Sequence, residues 1–176
     1  MPTWLEWTLI GIGGVATLYV LFLFIVLFII SKFNQRLKKR REALRLLLAQ
    51  RKDITLGLFK LVVEAKIKIP LTLKNKISEL ANKEIGLFNS YEIFDYAPEV
   101  IKITKALLEV SDESKSLKKN EKVEQFRKEL TELDEIKRQH IAIYNSDING
   151  YNYWIGLMSY RHILSALGYH PKKRIE

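Results

Sequence analysis

An all-α chain, with one N-terminal transmembrane helix ahead of an antiparallel helical bundle, is the fold class the sequence predicts. Three observations predict it. Leu9 to Ile30 is an apolar run without a charged residue. Apolar residues then recur every three or four positions over long stretches, the helical period, and no stretch shows a strand pattern. Turn formers are scarce, with 8 Gly and 4 Pro in 176 residues, too few for a turn-rich β fold. The bundle is expected to have long first and last helices and two shorter ones between. The predicted organisation is a stub over 1–8, a span over 9–30, a bundle over 31–168 and a basic tail over 169–176.

The span comes first in chain order. Twenty-two helical residues cover about 33 Å, against a hydrocarbon core of roughly 30 Å. A cleaved leader would carry a basic start, a short apolar core and a small-residue cleavage site. Here Glu6 is the only charged side chain before the run, and Ser31-Lys32-Phe33 follows it, so the helix reads as an uncleaved anchor. Lys32, Arg36, Lys38, Lys39, Arg40, Arg41 and Arg45 come directly after the span, and no Lys or Arg precedes it. The positive-inside rule then puts the C-terminal side in the cytoplasm and the N-terminus outside a cell membrane. Trp4 and Trp7 suit the outer aromatic belt. The basic cluster, Lys32 to Arg41 above all, suits an anionic leaflet, at around 1 kcal/mol per residue near the surface. Gly13 and Thr17 are four apart, the spacing at which small residues let two membrane helices approach.

Beyond the anchor, Leu37, Leu44, Leu47, Leu48, Ile54, Leu58, Leu61 and Val62 continue the helical period, which predicts a first soluble helix from Ser31 to about Ile69. Gly57 is a soft spot within it, and Pro70 ends it. Leu73, Ile77, Leu80 and Ala81 predict a second helix over Leu71 to Leu87, with Gly86 near its end. Asn89 to Ala97 reads as an aromatic loop, including Tyr91, Phe94 and Tyr96. Pro98 suits the first turn of a third helix, to about Val110. Ser111 to Asn120 reads as a polar turn. Val123, Phe126, Leu130, Leu133, Ile136, His140, Tyr144, Ile148, Tyr151 and Ile155 then predict a helix of about ten turns from Asn120 to Met158. Ile163 to Leu167 makes a short apolar turn closed by Gly168.

Charged residues make up 28% and hydrophobic ones 48%, a globular balance. The chain lacks cysteine, which excludes a disulfide scaffold and a thiolate metal site. The formal charge of +9 admits nucleic acid, anionic lipid or an acidic partner. Its concentration beside the span, without a nucleic-acid recognition motif, selects lipid. His140, His162 and His170 lack the i, i+4 spacing of a helical zinc pair, and no Glu-x-x-His occurs. Glu129, Glu132, Asp134 and Glu135 sit with lysines on a polar helix face, where a solvated role outweighs a catalytic pair. No phosphate loop or nucleophile elbow is present. The inventory predicts no catalytic residue, no cofactor, no metal and no small-molecule substrate.

One pattern remains. Tyr144-Asn145 and Tyr151-Asn152 repeat a dipeptide seven residues apart, two helical turns, so the tyrosines share one stripe and the asparagines the next. A packed tyrosine needs a hydroxyl partner, and a buried asparagine fixes register at a cost in stability. A core tyrosine beside an exposed asparagine is the plainer account. The segment Glu129 to Ile155, ELTELDEIKRQHIAIYNSDINGYNYWI, resembles the closing helix of the LemA family, in which Tyr-Asn, five residues, Tyr-Asn and Ile follow a Glu-rich stretch. Ile163 to Pro171 is similar to that family's apolar segment ending in Gly-aromatic-basic-Pro. After the anchor, Asn34-x-x-Leu37 and Arg51-Lys52-Asp53-Ile54 resemble its Asn-x-Leu and Arg-Arg-Tyr-Asp-Leu signatures. This chain departs from the family with Thr55-Leu56-Gly57 and Leu157-Met158-Ser159, and Leu71 to Asn120 does not align.

The resemblance implies an N-out, C-in protein of bacterial membranes with a cytoplasmic helical bundle and no established enzymatic activity. It marks Asn34, Leu37, Asp53, Tyr144, Asn145, Tyr151, Asn152 and Ile155 as the motif residues that pack the bundle. The function expected is a scaffold or interaction module, self-associating or bound to another membrane protein. The alternative is an accessory or regulatory subunit of a larger membrane complex, protease or transport machinery. Whether the aromatic end of the last helix returns to the membrane or points into the cytoplasm stays open at this level.

Overall fold

The computed structural model describes residues 3–85, 92–157 and 159–175. Gly86, the end of the second predicted helix, Phe88, Tyr91 and Met158 lie outside the described residues. The described chain is helical: α1 (Thr3–Glu64), α2 (Leu71–Asn82), α3 (Glu92–Glu113), the single turn α4 (Lys115–Lys118), α5 (Glu121–Ile155) and α6 (Arg161–Ala166). No strand occurs among the described residues. α1 is long and apolar enough at its N-terminal end to cross a membrane, and it continues into the polar part of the chain without a break. The chain divides into two compact units, Met1–Lys38 with Tyr144–Arg174, and Lys39–Ile143.

The larger unit, Lys39–Ile143, owns the main core. Leu58, Val62, Ile77, Leu80, Val100, Ile103, Leu107 and Val123 are among the residues packed there, at the positions the helical period selects. Within it Gly57 admits the Phe126 ring, whose edge lies 3.0 Å from where a Cβ would stand. The glycine in mid-helix is thus a close-approach site rather than a break. Thr55 and Thr104 are fully buried, and their hydroxyls lie 2.8 Å apart. Each also reaches the carbonyl four residues back on its own helix, Arg51 and Val100. A hydroxyl has one proton, so only one of the two can donate across to the other at any moment. Arg51 is buried and paired with Asp134. Beside them, burial lowers the pKa of Lys137; Asp134 opposes that shift and Arg51 adds to it.

Helix ends differ from the predicted ones for local reasons. α1 stops at Glu64, before Ile69. Lys66 takes φ 54°, its N–H bonds the Val63 carbonyl, and the Ile67 N–H bonds that of Val62. This is a Schellman closure with lysine where glycine is usual. α2 ends at Asn82, before Leu87, where the Lys52 ammonium donates to the carbonyls of Ala81 (3.0 Å) and Lys83 (2.6 Å), groups the helix itself leaves unsatisfied. α3 begins at Glu92, so most of the expected aromatic loop is helix and Pro98 lies inside it. Glu92 and Asp95 in its first turn favour the positive end of the helix dipole, and Pro98 forgoes one backbone bond. The expected polar turn holds α4. The Asn120 side chain accepts the Lys122 N–H at 2.9 Å, so Asn120 caps α5 rather than beginning it.

Lys66 is in the left-handed region at a cost of about 1 kcal/mol for an L side chain. Lys66→Gly therefore raises the thermal midpoint of the detergent-solubilised protein, and Lys66→Val, β-branched at the same φ, lowers it, as read by circular dichroism.

Candidate functional site

The smaller unit gathers the motif residues other than Asp53. Its two chain segments are the start of α1 and the stretch Tyr144–Arg174. Leu37, Tyr144, Ile148, Tyr151 and Ile155 are buried, on the three-four spacing that faces α5 inward. Gly150 is the only glycine in α5, and the Phe33 ring occupies its place: the ring lies 2.5 Å from where a Cβ would be built. A side chain at residue 150 and the ring of Phe33 exclude each other. That contact sets how far apart α1 and α5 stand within this unit.

Two residues further along α5, Asn152 holds the chain that returns after α6. Its side-chain Nδ2 donates to the Lys172 carbonyl at 2.8 Å, and its Oδ1 accepts the Lys172 N–H at 2.8 Å. The amide thus satisfies both backbone groups of one residue, as a neighbouring strand would. The Lys172 ammonium then donates to Asn34 Oδ1 and lies 4.3 Å from the centroid of the Tyr151 ring. Arg174 Nε donates to Asn149 Oδ1 at 2.7 Å. Burial raises the Tyr151 pKa, the neighbouring Tyr169 adds to this, and a hydrogen bond with Asn34 opposes it. The Tyr151 hydroxyl is thus kept neutral beneath the lysine. Asn34, Tyr151 and Asn152, predicted as motif residues, therefore meet on one latch whose fourth member is Lys172.

Farther along, the chain reaches the apolar part of α1. Tyr160 stacks on Tyr19 with centroids 4.6 Å apart and leans on Phe22 at 5.5 Å. The Tyr19 hydroxyl donates to the Ser159 carbonyl at 2.5 Å, and the Tyr160 hydroxyl to the Tyr19 carbonyl at 3.3 Å. Val26 and Ile30 on α1, and Ile155 and Leu164 beyond, are buried in the same unit. The turn after α5 thus lies along the C-terminal half of the apolar run.

The other predicted residues stand apart from the latch. Asp53 is exposed in the larger unit, on an open groove of about 370 Å³ that Glu129, Glu132 and Ile136 also line. Asn145 is partly exposed and engaged in contacts of its own. Trp4 and Trp7 are exposed, 64% and 73%. Thr17 bonds the Gly13 carbonyl at 2.8 Å within α1, and the space beside Gly13 is open. Lys32, Arg36, Lys38 and Lys39 are exposed, Arg40 and Arg41 partly so. The Lys32 ammonium lies 4.6 Å over Phe28, and the Arg36 guanidinium 5.8 Å from the Phe33 centroid. Among the described residues no group of three or more His, Asp or Glu is placed to hold a metal ion.

Sequence reasoning missed Lys172, Arg174, Gly150 and Phe33. The sequence marks the tail only as basic, yet two of its cations are bound to asparagines of α5 and α1. A lone glycine inside a strongly periodic helix was the available signal, since such a glycine marks a close approach. Compared with models of known protein families, with curated proteins and with solved structures, the chain matches none.

Helix propensity alone would make Gly150→Ala stabilising by about 1 kcal/mol. The Phe33 ring reverses the sign: Gly150→Ala lowers stability by about 1–3 kcal/mol, the cost of overpacking. Combining it with Phe33→Ala makes the effect of Gly150→Ala less unfavourable, which a double-mutant cycle on thermal unfolding measures. Asn152→Leu strands both backbone groups of Lys172 and removes about 1–3 kcal/mol. Limited trypsin digestion then cleaves after Lys172 and Arg174 sooner than in the parent protein.

Proposed function

We propose that this chain is a non-enzymatic, single-pass membrane protein that presents a helical bundle to the cytoplasm as a scaffold or interaction module and self-associates through its anchor. The observation that carries the reading is the apolar surface of α1. Leu9, Ile10, Ile12, Val15, Leu18 and Leu21 are each more than half exposed and lie on all sides of one helix. Water does not solvate such a surface cheaply, and lipid or another membrane helix covers it. The exposed cations that begin at Lys32 support an orientation with the N-terminus outside and the bundle inside, and they suit an anionic leaflet.

The antiparallel arrangement belongs to the same reading. In the larger unit Arg51 meets Asp134 while Gly57 meets Phe126. In the smaller one Phe33 meets Gly150 while Tyr19 meets Tyr160. In each unit the later residue of α1 partners the earlier residue of α5's side, as opposed helices would. The resemblance to the LemA family supports the scaffold role through the latch: Asn34, Tyr151 and Asn152 are spent on holding the chain together and not on a ligand. Self-association rests on the open faces of Gly11, Gly13 and Gly14, where a second helix could come close.

Light scattering on the full-length protein in detergent tests this. A defined oligomer is expected, and Gly13→Ile, which fills the approach face, should dissociate it. A monomer in both forms overturns self-association and leaves the accessory-subunit reading, whose partner cross-linking in membranes would identify.

A further inference from the structure

We infer that the segment Ser159–Gly168, which contains α6, is seated inside the membrane, in the leaflet on the bundle's side, with lipid acyl chains covering Ile163 and Leu167. The inference rests on the reading that α1 spans the bilayer.

Depth along α1 gives the first argument. With Trp7 at the outer interface, a core of roughly 30 Å ends near Leu27. Tyr19 lies two turns before Leu27, about 12 Å within the core. Tyr160 stacks on Tyr19, and Ser159 is bonded to it. The loop after α5 is therefore at the depth of acyl chains, not of headgroups. The latch corroborates the scale: Lys172 meets Asn34, among the first basic residues after the span, so the chain descends from Gly150 and comes back up by Lys172.

Composition gives the second. Charged residues are 28% of the chain, yet between Asp147 and Lys172 the only residue with a full charge is Arg161. The stretch holds Tyr151, Tyr153, Trp154, Tyr160 and Tyr169, side chains at home near a membrane interface. Arg161 is exposed, and its long stem lets the guanidinium snorkel towards the headgroups.

Backbone satisfaction gives the third. Irregular backbone survives at membrane depth only where its polar groups find partners. The Tyr160 and Arg161 N–H groups bond the Leu157 carbonyl, and the Ser159 carbonyl takes the Tyr19 hydroxyl. At the far end Gly168, with φ 84°, closes α6 as the Tyr169 N–H bonds the Leu164 carbonyl. Of the side chains that α6 and its cap leave uncovered, Arg161, His162 and Ser165 are polar, and the large apolar ones are Ile163, 37% exposed, and Leu167, 55% exposed.

The chain lacks cysteine, so single cysteines can be introduced and labelled with an environment-sensitive nitrobenzoxadiazole dye. Ile163→Cys and Leu167→Cys are compared with Leu18→Cys, in the middle of the span, and with Lys118→Cys, exposed on α4. The full-length protein is reconstituted in phosphatidylcholine–phosphatidylglycerol vesicles, with and without lipids bearing a nitroxide on the acyl chain. The expected result is blue-shifted emission and strong nitroxide quenching at residues 163 and 167, as at 18, and neither at 118. Quenching at 18 but water-like emission at 163 and 167 overturns the inference and leaves the span intact. A blue shift at 163 and 167 without quenching also overturns it, since a second protein copy would then be the cover. Water-like emission at 18 removes the spanning reading and the inference with it.

Discussion

The apolar stretch of α1 must be kept from water along its whole length, and the rest of the molecule is arranged around that requirement. Over its first half the side chains are exposed in every direction. From Val26 onward one face turns inward, with Val26, Ile30 and Leu37 completely buried. The spacing of these three, four and then seven residues, is that of a single helical stripe. Tyr144–Arg174 shares their unit and supplies the cover. On the reading that α1 spans a membrane, a helix exposed at one end and protein-facing at the other couples the placement of the C-terminal segment to that of the anchor.

Polar groups then fix what apolar burial leaves loose. Hydrophobic contact is non-directional, so stripes of leucine and tyrosine on two helices tolerate sliding. Gly150 against Phe33 restricts the register, since the far end of the ring comes this close to the helix only where no Cβ intervenes. Asn152 adds direction, because its amide matches both backbone groups of Lys172 and of no neighbouring residue in the same pose. In the larger unit the Thr55 and Thr104 hydroxyls and the Arg51–Asp134 pair take that part. Such contacts contribute little net stability, about 1 kcal/mol for a neutral hydrogen bond, but leaving one of their partners buried alone costs more than making the bond gains.

A function is consistent with this economy. The polar residues with the strongest geometry are satisfied by one another, as Asn34, Asn152 and Lys172 are. Among the surfaces left over are the apolar girth of α1, its basic collar, and Ile163 and Leu167 at α6. All three are suited to lipid or to another membrane-embedded chain, which is where the scaffold reading and the seat of α6 converge.

The sequence by itself determined the helical class, the membrane-competent helix, the polarity of its flanks and most core positions, because the period of apolar residues and the placement of charge are local and additive. Pro70 and Asn120 marked ends that the chain respects to within a few residues. Only the tertiary structure decided that Lys66 would close α1 in place of a glycine, that Pro98 would lie within α3, and that Gly57 and Gly150 are contact sites. It also decided that Lys172 completes the Asn34, Tyr151 and Asn152 cluster. Each of these depends on a partner far away in the chain or on a closure whose bonds compensate an unfavoured backbone, and neither leaves a periodic trace.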